Sequence, residues 1–153
     1  MSKAKVAALA VVLIAAPFVA VEEGVVLSRY ADPVGIPTAC AGETDSEVVG
    51  FKRLFTRDEC IAVMGASLYA HAMQLEPCVK REIPRHQAAA ILSWSYNVGV
   101  GNACGSTLMR KLNAGQPFCA ELDKWVYAKR IKLRGLVKRR AAERRMCETG
   151  SWA

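Results

Sequence analysis

Residues 23–38 read EGVVLSRYADPVGIPT. This stretch holds a carboxylate at Glu23, a second at Asp32 after eight intervening residues, and a hydroxyl at Thr38 after five more. VVLSRY, β-branched and aromatic, reads as a short strand; Pro33 and Gly35 turn the chain, and IPTAC reads as a returning strand. The result is a polar hairpin with one carboxyl at its entrance and another at its tip. Two carboxyls held apart across a cleft can split a glycosidic bond, one protonating the leaving oxygen and the other activating water. The same residues taken alone also fit a helix cap at Glu23 and an ordinary Asp-Pro turn at Asp32, so the surrounding chain must decide.

Upstream lies a run without a polar side chain, residues 6–21, VAALAVVLIAAPFVAV, preceded by Lys3 and Lys5 and followed by Glu22 and Glu23. Three readings compete for it: a buried core helix, a cleavable signal peptide, and an uncleaved membrane anchor. Lysines before and glutamates after an apolar run favour membrane targeting over a core helix. Cleavage needs small residues at the third and first positions before the cut, and ends at Ala20 or Ala16 place Phe18 or Ile14 at the outer one. As an anchor, the run spans roughly 24 Å of helix, short of a ~30 Å hydrocarbon core. It is rich in alanine and contains Pro17, which makes it a weak span. The lysines would stay cytoplasmic and send everything after Glu22 across the membrane.

Downstream the pattern is helical. Thr56 and Glu59 form a capping box, and Ile61, Met64, Leu68, Ala72 and Leu75 follow at helical spacing until Pro77. Pro84 opens a second helix through Tyr96, with Gly99 as terminator. Ser106 caps a third that ends at Gly115, Pro117 opens a fourth, and a fifth runs from about Leu136 to Cys147 before Gly150. A chain of 153 residues forms about one domain. The expected class is α+β, mostly helical, with one small β-element carrying the site.

The triplet with Glu-Gly at its head, the segment WSYNVGVGNACGSTLMRKLNAG at 94–115 and the segment WVYAKRIKLRGLVKRRAAERRMC at 125–147 resemble the T4-type phage lysozymes, glycoside hydrolase family 24. The weak N-terminal span resembles the signal-anchor-release (SAR) endolysins within that group. The resemblance implies a lysozyme-like fold with residues 1–22 as signal anchor and 23–153 as catalytic domain. It implies hydrolysis of the β-1,4 bond between N-acetylmuramic acid and N-acetylglucosamine in peptidoglycan, without metal or organic cofactor. Glu23 would be the general acid, desolvated by the preceding apolar helix so that its pKa rises. Asp32, beside Arg29, would stay ionised as base or electrostatic stabiliser, and Thr38 would hold the attacking water. Inversion, with carboxyls about 6.5–9.5 Å apart, is the expected outcome. A monomer tethered to the inner membrane through residues 6–21 and then released to the periplasm is the expected course. Trp94, Tyr96, Leu108 and Leu112 are expected in the core, and His71 and His86 in surface or packing positions.

The six cysteines, at 40, 60, 78, 104, 119 and 147, include no C-x-x-C pair, and there are only two histidines, which argues against a zinc site. An even count suits disulfides in an oxidising compartment, and six cysteines allow fifteen pairings. In the assumed fold, Cys40–Cys60, Cys78–Cys104 and Cys119–Cys147 would join neighbouring elements. The net charge of +7 is concentrated late in the chain, from Lys129 through Arg145. Such a run reads first as a solvated helix face. It also fits an anionic cell wall, or nucleic acid in a non-catalytic, membrane-anchored binding protein. Export would remove the chain from nucleic acid, so no nucleic-acid partner is expected.

Overall fold

The computed structural model describes residues 3–24, 26–31, 37–40 and 56–153, with side chains described for 7–24 and 56–153. The apolar run forms helix α1, Lys3–Glu23, which continues through Pro17. Pro17 lies on the exposed side of α1, where water can reach the Leu13 carbonyl that loses its helical donor. The other side of α1 is core: Val12, Ala15, Ala16, Phe18, Val19 and Ala20 are buried. Phe18 meets the Trp152 ring edge-on at 5.1 Å. Of the three readings of this run, the packing seen in the structure is that of a core helix. Its outer side is nevertheless apolar, with Leu13 71% exposed and Leu9 and Val21 also open to solvent. Among the described residues, no helix is long and apolar enough to cross a membrane.

Gly24, at φ 69°, ends α1 in the left-handed conformation that glycine adopts without a Cβ penalty. The chain then runs into β1, Val26–Ala31, which pairs antiparallel with β2, Pro37–Cys40. The expected hairpin is therefore present, with Tyr30 opposite Thr38 and an irregular register between Val26 and Tyr30. Helix α2, Arg57–Leu75, starts at the Thr56–Glu59 capping box, each side chain accepting from the other residue's backbone N–H at 3.1 Å. A 3-10 turn, Glu76–Cys78, contains Pro77 and ends it.

Helix α3, Arg85–Val98, follows Pro84 and stops at Gly99. Sequence reading missed the short helix α4, Val100–Cys104, because a single turn has no periodicity to detect. Ser106 caps α5, Thr107–Asn113, by accepting from the Met109 N–H at 3.0 Å. Pro117 leads not into an α-helix but into a 3-10 turn, Cys119–Lys124. Next comes an unexpected second hairpin, β3 Tyr127–Ala128 with β4 Ile131–Lys132, and then α6, Arg134–Thr149, which ends at left-handed Gly150. Helix α1 packs on α2 and α3, and α3 packs on α6. Leu68, Trp94, Leu108, Leu112 and Met146 fill the core between them.

Two expected disulfides are present: Cys78–Cys104 ties the turn after α2 to α4, and Cys119–Cys147 ties the second 3-10 turn to α6. Cys60 on α2 is disulfide-bonded, and β2, which carries Cys40, runs beside α2. The side chain of Cys40, and with it the expected Cys40–Cys60 pairing, lies outside the described residues.

Candidate active site

Glu23 is the last residue of α1, placed by Gly24 at the point where helix gives way to the first hairpin. Its carboxylate is not in a purely apolar collar. Arg139 Nη1 on α6 donates to Glu23 Oε1 at 2.6 Å, and the Glu23 side chain is 28% exposed. One edge of the carboxyl is thus fixed by a guanidinium while the group remains open to a ligand.

Arg139 is itself held from below. Its Nε donates to Glu143 Oε1 at 3.2 Å and its Nη2 to the Ser93 carbonyl at 3.4 Å. Glu143 is fully buried and accepts from the Ser93 hydroxyl at 2.7 Å and from Arg140 Nη2 at 3.1 Å, with Arg140 Nε 2.6 Å from its other oxygen. Burial pushes the Glu143 carboxyl up from the ordinary range, opposed by Arg140, Ser93 and Arg139. Burial likewise pushes the Arg140 guanidinium down, opposed by Glu143. A buried ion cluster of this kind tolerates no missing member: removing one partner strands a buried charge, at about 3–5 kcal/mol. The arrangement forms a rigid post of charged groups from α3 and α6 under Glu23.

Most of the late basic run is solvated, as expected: Lys129, Arg130, Lys132, Arg134, Lys138 and Arg145 are exposed, and the exceptions lie on α6. Arg139 and Arg140 are buried, and Arg144 pairs with Asp123 and, at 2.8 Å, with Glu148. A signal for the cluster was in the sequence. Glu143 stands four residues after Arg139 and three after Arg140, the spacings that bring side chains together on one helix face. What the spacing could not show was that this face points inward.

Asp32 lies outside the described residues, and Thr38 is placed only by its backbone, opposite Tyr30 on β2. Trp94 stacks edge-on against Trp125 at 5.3 Å and is fully buried, so it is core as expected. His86 Nδ1 lies 3.0 Å from the Met146 carbonyl and His71 Nε2 3.0 Å from the Ser95 hydroxyl, both packing roles. Among the described residues, no His/Cys/Asp/Glu group could hold a metal ion. An apolar depression of about 620 Å³ lies between α1, α2 and the start of α3, lined by residues such as Val11, Leu75, Val79 and Ile83. It does not include Glu23.

Against known families, the chain matches the model described as phage lysozyme over residues 20–143. It belongs to the phage lysozyme family. That family match begins just ahead of Glu23 and runs through Glu143, so it contains both Glu23 and the post beneath it. Similar relatives include the SAR-endolysin of Bacteriophage PS119, 39% identical over 130 residues, covering 84% of this chain and 77% of the relative. The SAR-endolysin of Enterobacteria phage P21 is 38% identical over 130 residues, covering 84% and 78%. Among solved structures, a point mutant of P22 lysozyme superposes with TM-score 0.75 at 25% identity over 88% of this chain and 95% of that one. The endolysin of Escherichia coli O157:H7 phage FAHEc1 superposes with TM-score 0.78 at 21% identity over 92% and 94%, a likeness of fold. As a phage lysozyme, the protein is in the class of peptidoglycan-lytic glycoside hydrolases.

Proposed function

We propose that this phage lysozyme is a SAR endolysin that hydrolyses the β-1,4 bond between N-acetylmuramic acid and N-acetylglucosamine and so lyses the host cell. The observation that carries this reading is the placement of Glu23: a partly exposed carboxyl at the end of α1, anchored by Arg139 at 2.6 Å beside the mouth of a β-hairpin. In the proposed mechanism, Glu23 protonates the glycosidic oxygen, with Arg139 fixing which carboxyl oxygen faces the substrate. Asp32 acts as base or electrostatic stabiliser of the developing oxocarbenium charge, and Thr38 orients the water. An inverting outcome follows if water enters from the face opposite the acid.

The SAR part of the proposal rests on α1 and on the names of the two relatives at 38–39% identity. A helix apolar on every side suits either a buried position or a bilayer, and α1 keeps Leu9, Leu13 and Val21 on its open side even when packed. The protein would first be tethered in the inner membrane through residues 6–21, with the lysines cytoplasmic. It would then be released to the periplasm, where α1 folds into the core as seen here. Tethering removes Phe18, Val19 and their neighbours from that core and leaves Glu23 at the bilayer surface, so the tethered form is inactive.

Turbidity clearing of purified sacculi tests the catalytic assignment. Glu23→Gln cannot deliver a proton and is expected to lose roughly three orders of magnitude in rate while still folding, with a melting temperature lowered by loss of the Arg139 ion pair. Clearing by that variant at the wild-type rate would overturn it.

A further inference from the structure

Glu143 is fully buried on α6 and has no direct part in the chemistry proposed above. Its surroundings define its charge. The Ser93 hydroxyl, Arg139 Nε and Arg140 Nη2 all donate to its Oε1, and Arg140 Nε stands 2.6 Å from Oε2. Each of these groups is a donor, which suits an acceptor-only carboxylate; a protonated carboxyl would need an acceptor for its own hydrogen. Burial opposes the charge, and the two guanidiniums and the hydroxyl favour it. With every contact a donor, Glu143 is held ionised. The cluster beneath Glu23 therefore contains two cations, Arg139 and Arg140, against one anion.

Arg139 is the shared member. Its Nη1 faces Glu23 Oε1 at 2.6 Å and its Nε faces Glu143 Oε1 at 3.2 Å, so the two carboxyls stand on either side of one guanidinium. At an effective dielectric of about 20, a unit charge roughly 8 Å away shifts the balance between a carboxyl and its carboxylate by about 1.5 pH units. Solvent at the partly exposed Glu23 reduces that to about one. Few other charges bear on the pair. Glu22 on α1 acts on Arg140 through space. From α2, His71 is bonded to Ser95 instead. On the second 3-10 turn, Asp123 pairs with Arg144, and Glu121 with Lys111 and Lys124. The side chains of the β1–β2 hairpin lie outside the described residues.

We infer that Glu143 is a positioning residue for the acid: it holds Arg139 against Glu23 and cancels one of the two cations beneath it, so that Glu23 retains its proton to higher pH than the two guanidiniums alone would allow. The inference rests on the reading of Glu23 as general acid. It gives Arg140 the opposite effect, because that guanidinium adds the cation that Glu143 offsets. The working pH range of the enzyme is then set by the net charge of buried groups that never touch the substrate.

The test is the pH dependence of kcat/KM for clearing of purified sacculi, with one substrate preparation and one ionic strength for all variants. A general acid works only while protonated, so activity falls on the alkaline side as it ionises. Added positive charge favours ionisation and moves that limb to lower pH, and removed positive charge moves it higher. Glu143→Gln leaves both cations uncancelled and should move the limb down by about one pH unit. Arg140→Gln leaves Arg139 balanced by Glu143 and should move it up by a similar amount. The double variant R140Q/E143Q restores the net charge and should return the limb to within about 0.3 pH units of wild type. Each single variant strands a buried charge, so both are assayed at a temperature where their far-ultraviolet circular dichroism matches wild type. The double variant strands none and is expected to fold in any case. A purely structural role would lower activity in all three and leave the limb where it is. A fixed limb in the single variants, or a displaced limb in the double variant, would overturn the inference. Clearing by Glu23→Gln at the wild-type rate would instead remove the acid reading on which it rests.

Discussion

At the scale of single residues, the site is organised by which polar groups are satisfied and by whom. Arg139 links the partly exposed Glu23 to the fully buried Glu143, so the position of the Glu23 carboxyl is set by packing in the core rather than by its own loop. His71 shows the same logic away from the site. Ser95 Oγ donates its only proton to the Leu92 carbonyl at 3.0 Å, so His71 Nε2 donates to Ser95, as either the neutral ring or the imidazolium can. Burial lowers the His71 pKa from 6.5, partly offset by the Ser95 contact. With the folded value depressed, the unfolded chain takes up the proton first. Stability from this residue is therefore complete above about pH 6.5 and is lost as pH falls from there toward the lowered folded value. Urea melts across pH 7.5 to 5 should show wild type losing more stability than His71→Gln, whose amide can still donate to Ser95. Parallel curves would mean that His71 does not titrate differently on folding.

Among the elements, α1 carries two requirements that ordinarily conflict. As a core helix it needs one apolar side, yet both of its sides are apolar. Substitutions on the two sides should therefore separate folding from membrane behaviour. Leu13, 71% exposed, makes little contact, so Leu13→Lys is expected to leave the melting curve within about 0.5 kcal/mol of wild type. In a bilayer the same lysine disfavours insertion by about 2.5–3.5 kcal/mol near the centre of a span. The variant should thus fold and clear sacculi normally when purified, yet fail to fractionate with the inner membrane during expression. Phe18→Ala should do the reverse: buried against Trp152, its loss is expected to destabilise the fold by about 3–5 kcal/mol while barely changing insertion. Normal membrane retention of Leu13→Lys would remove α1 as the tether.

For the molecule as a whole, the C-terminal half is a helical body cross-linked at two places, Cys78–Cys104 and Cys119–Cys147, separated in sequence by 26 and 28 residues. Loops of that length give about 3–4 kcal/mol of chain-entropy stabilisation per bridge. The Cys78–Cys104 bridge is reinforced by Asn113, which accepts from the Lys80 N–H at 2.8 Å and donates to the Cys78 carbonyl at 2.9 Å. Cys119→Ser/Cys147→Ser should lower the unfolding free energy by about 3 kcal/mol in denaturant titrations and make the remaining stability less dependent on oxidising conditions. A change under about 1 kcal/mol would show that α6 is held by its packing on α3 and on the second 3-10 turn without the bridge.

Short-range chemistry is readable directly. The Thr56–Glu59 box, the Ser106 cap and the stops at Gly99 and Gly150 each depend on residues within four of one another, and so each is visible in order along the chain. The β1–β2 hairpin is legible for the same reason, since Pro33 and Gly35 separate two β-branched stretches. The β3–β4 hairpin is not, because Lys129-Arg130 lacks every residue type that marks such a turn. Composition likewise leaves open which way the N-terminal apolar run is buried, because a bilayer and a core reward the same side chains. Arg139 and Arg140 read as solvated because most arginines are. Their burial needs partners that only the folded chain supplies: Ser93 lies 46 residues from Arg139, and Glu23 lies 116. Local hydrogen-bonding geometry set where the helices begin and end, whereas contacts across distant segments decided which charges are buried and that the Glu23 carboxyl, paired with Arg139, stays partly exposed.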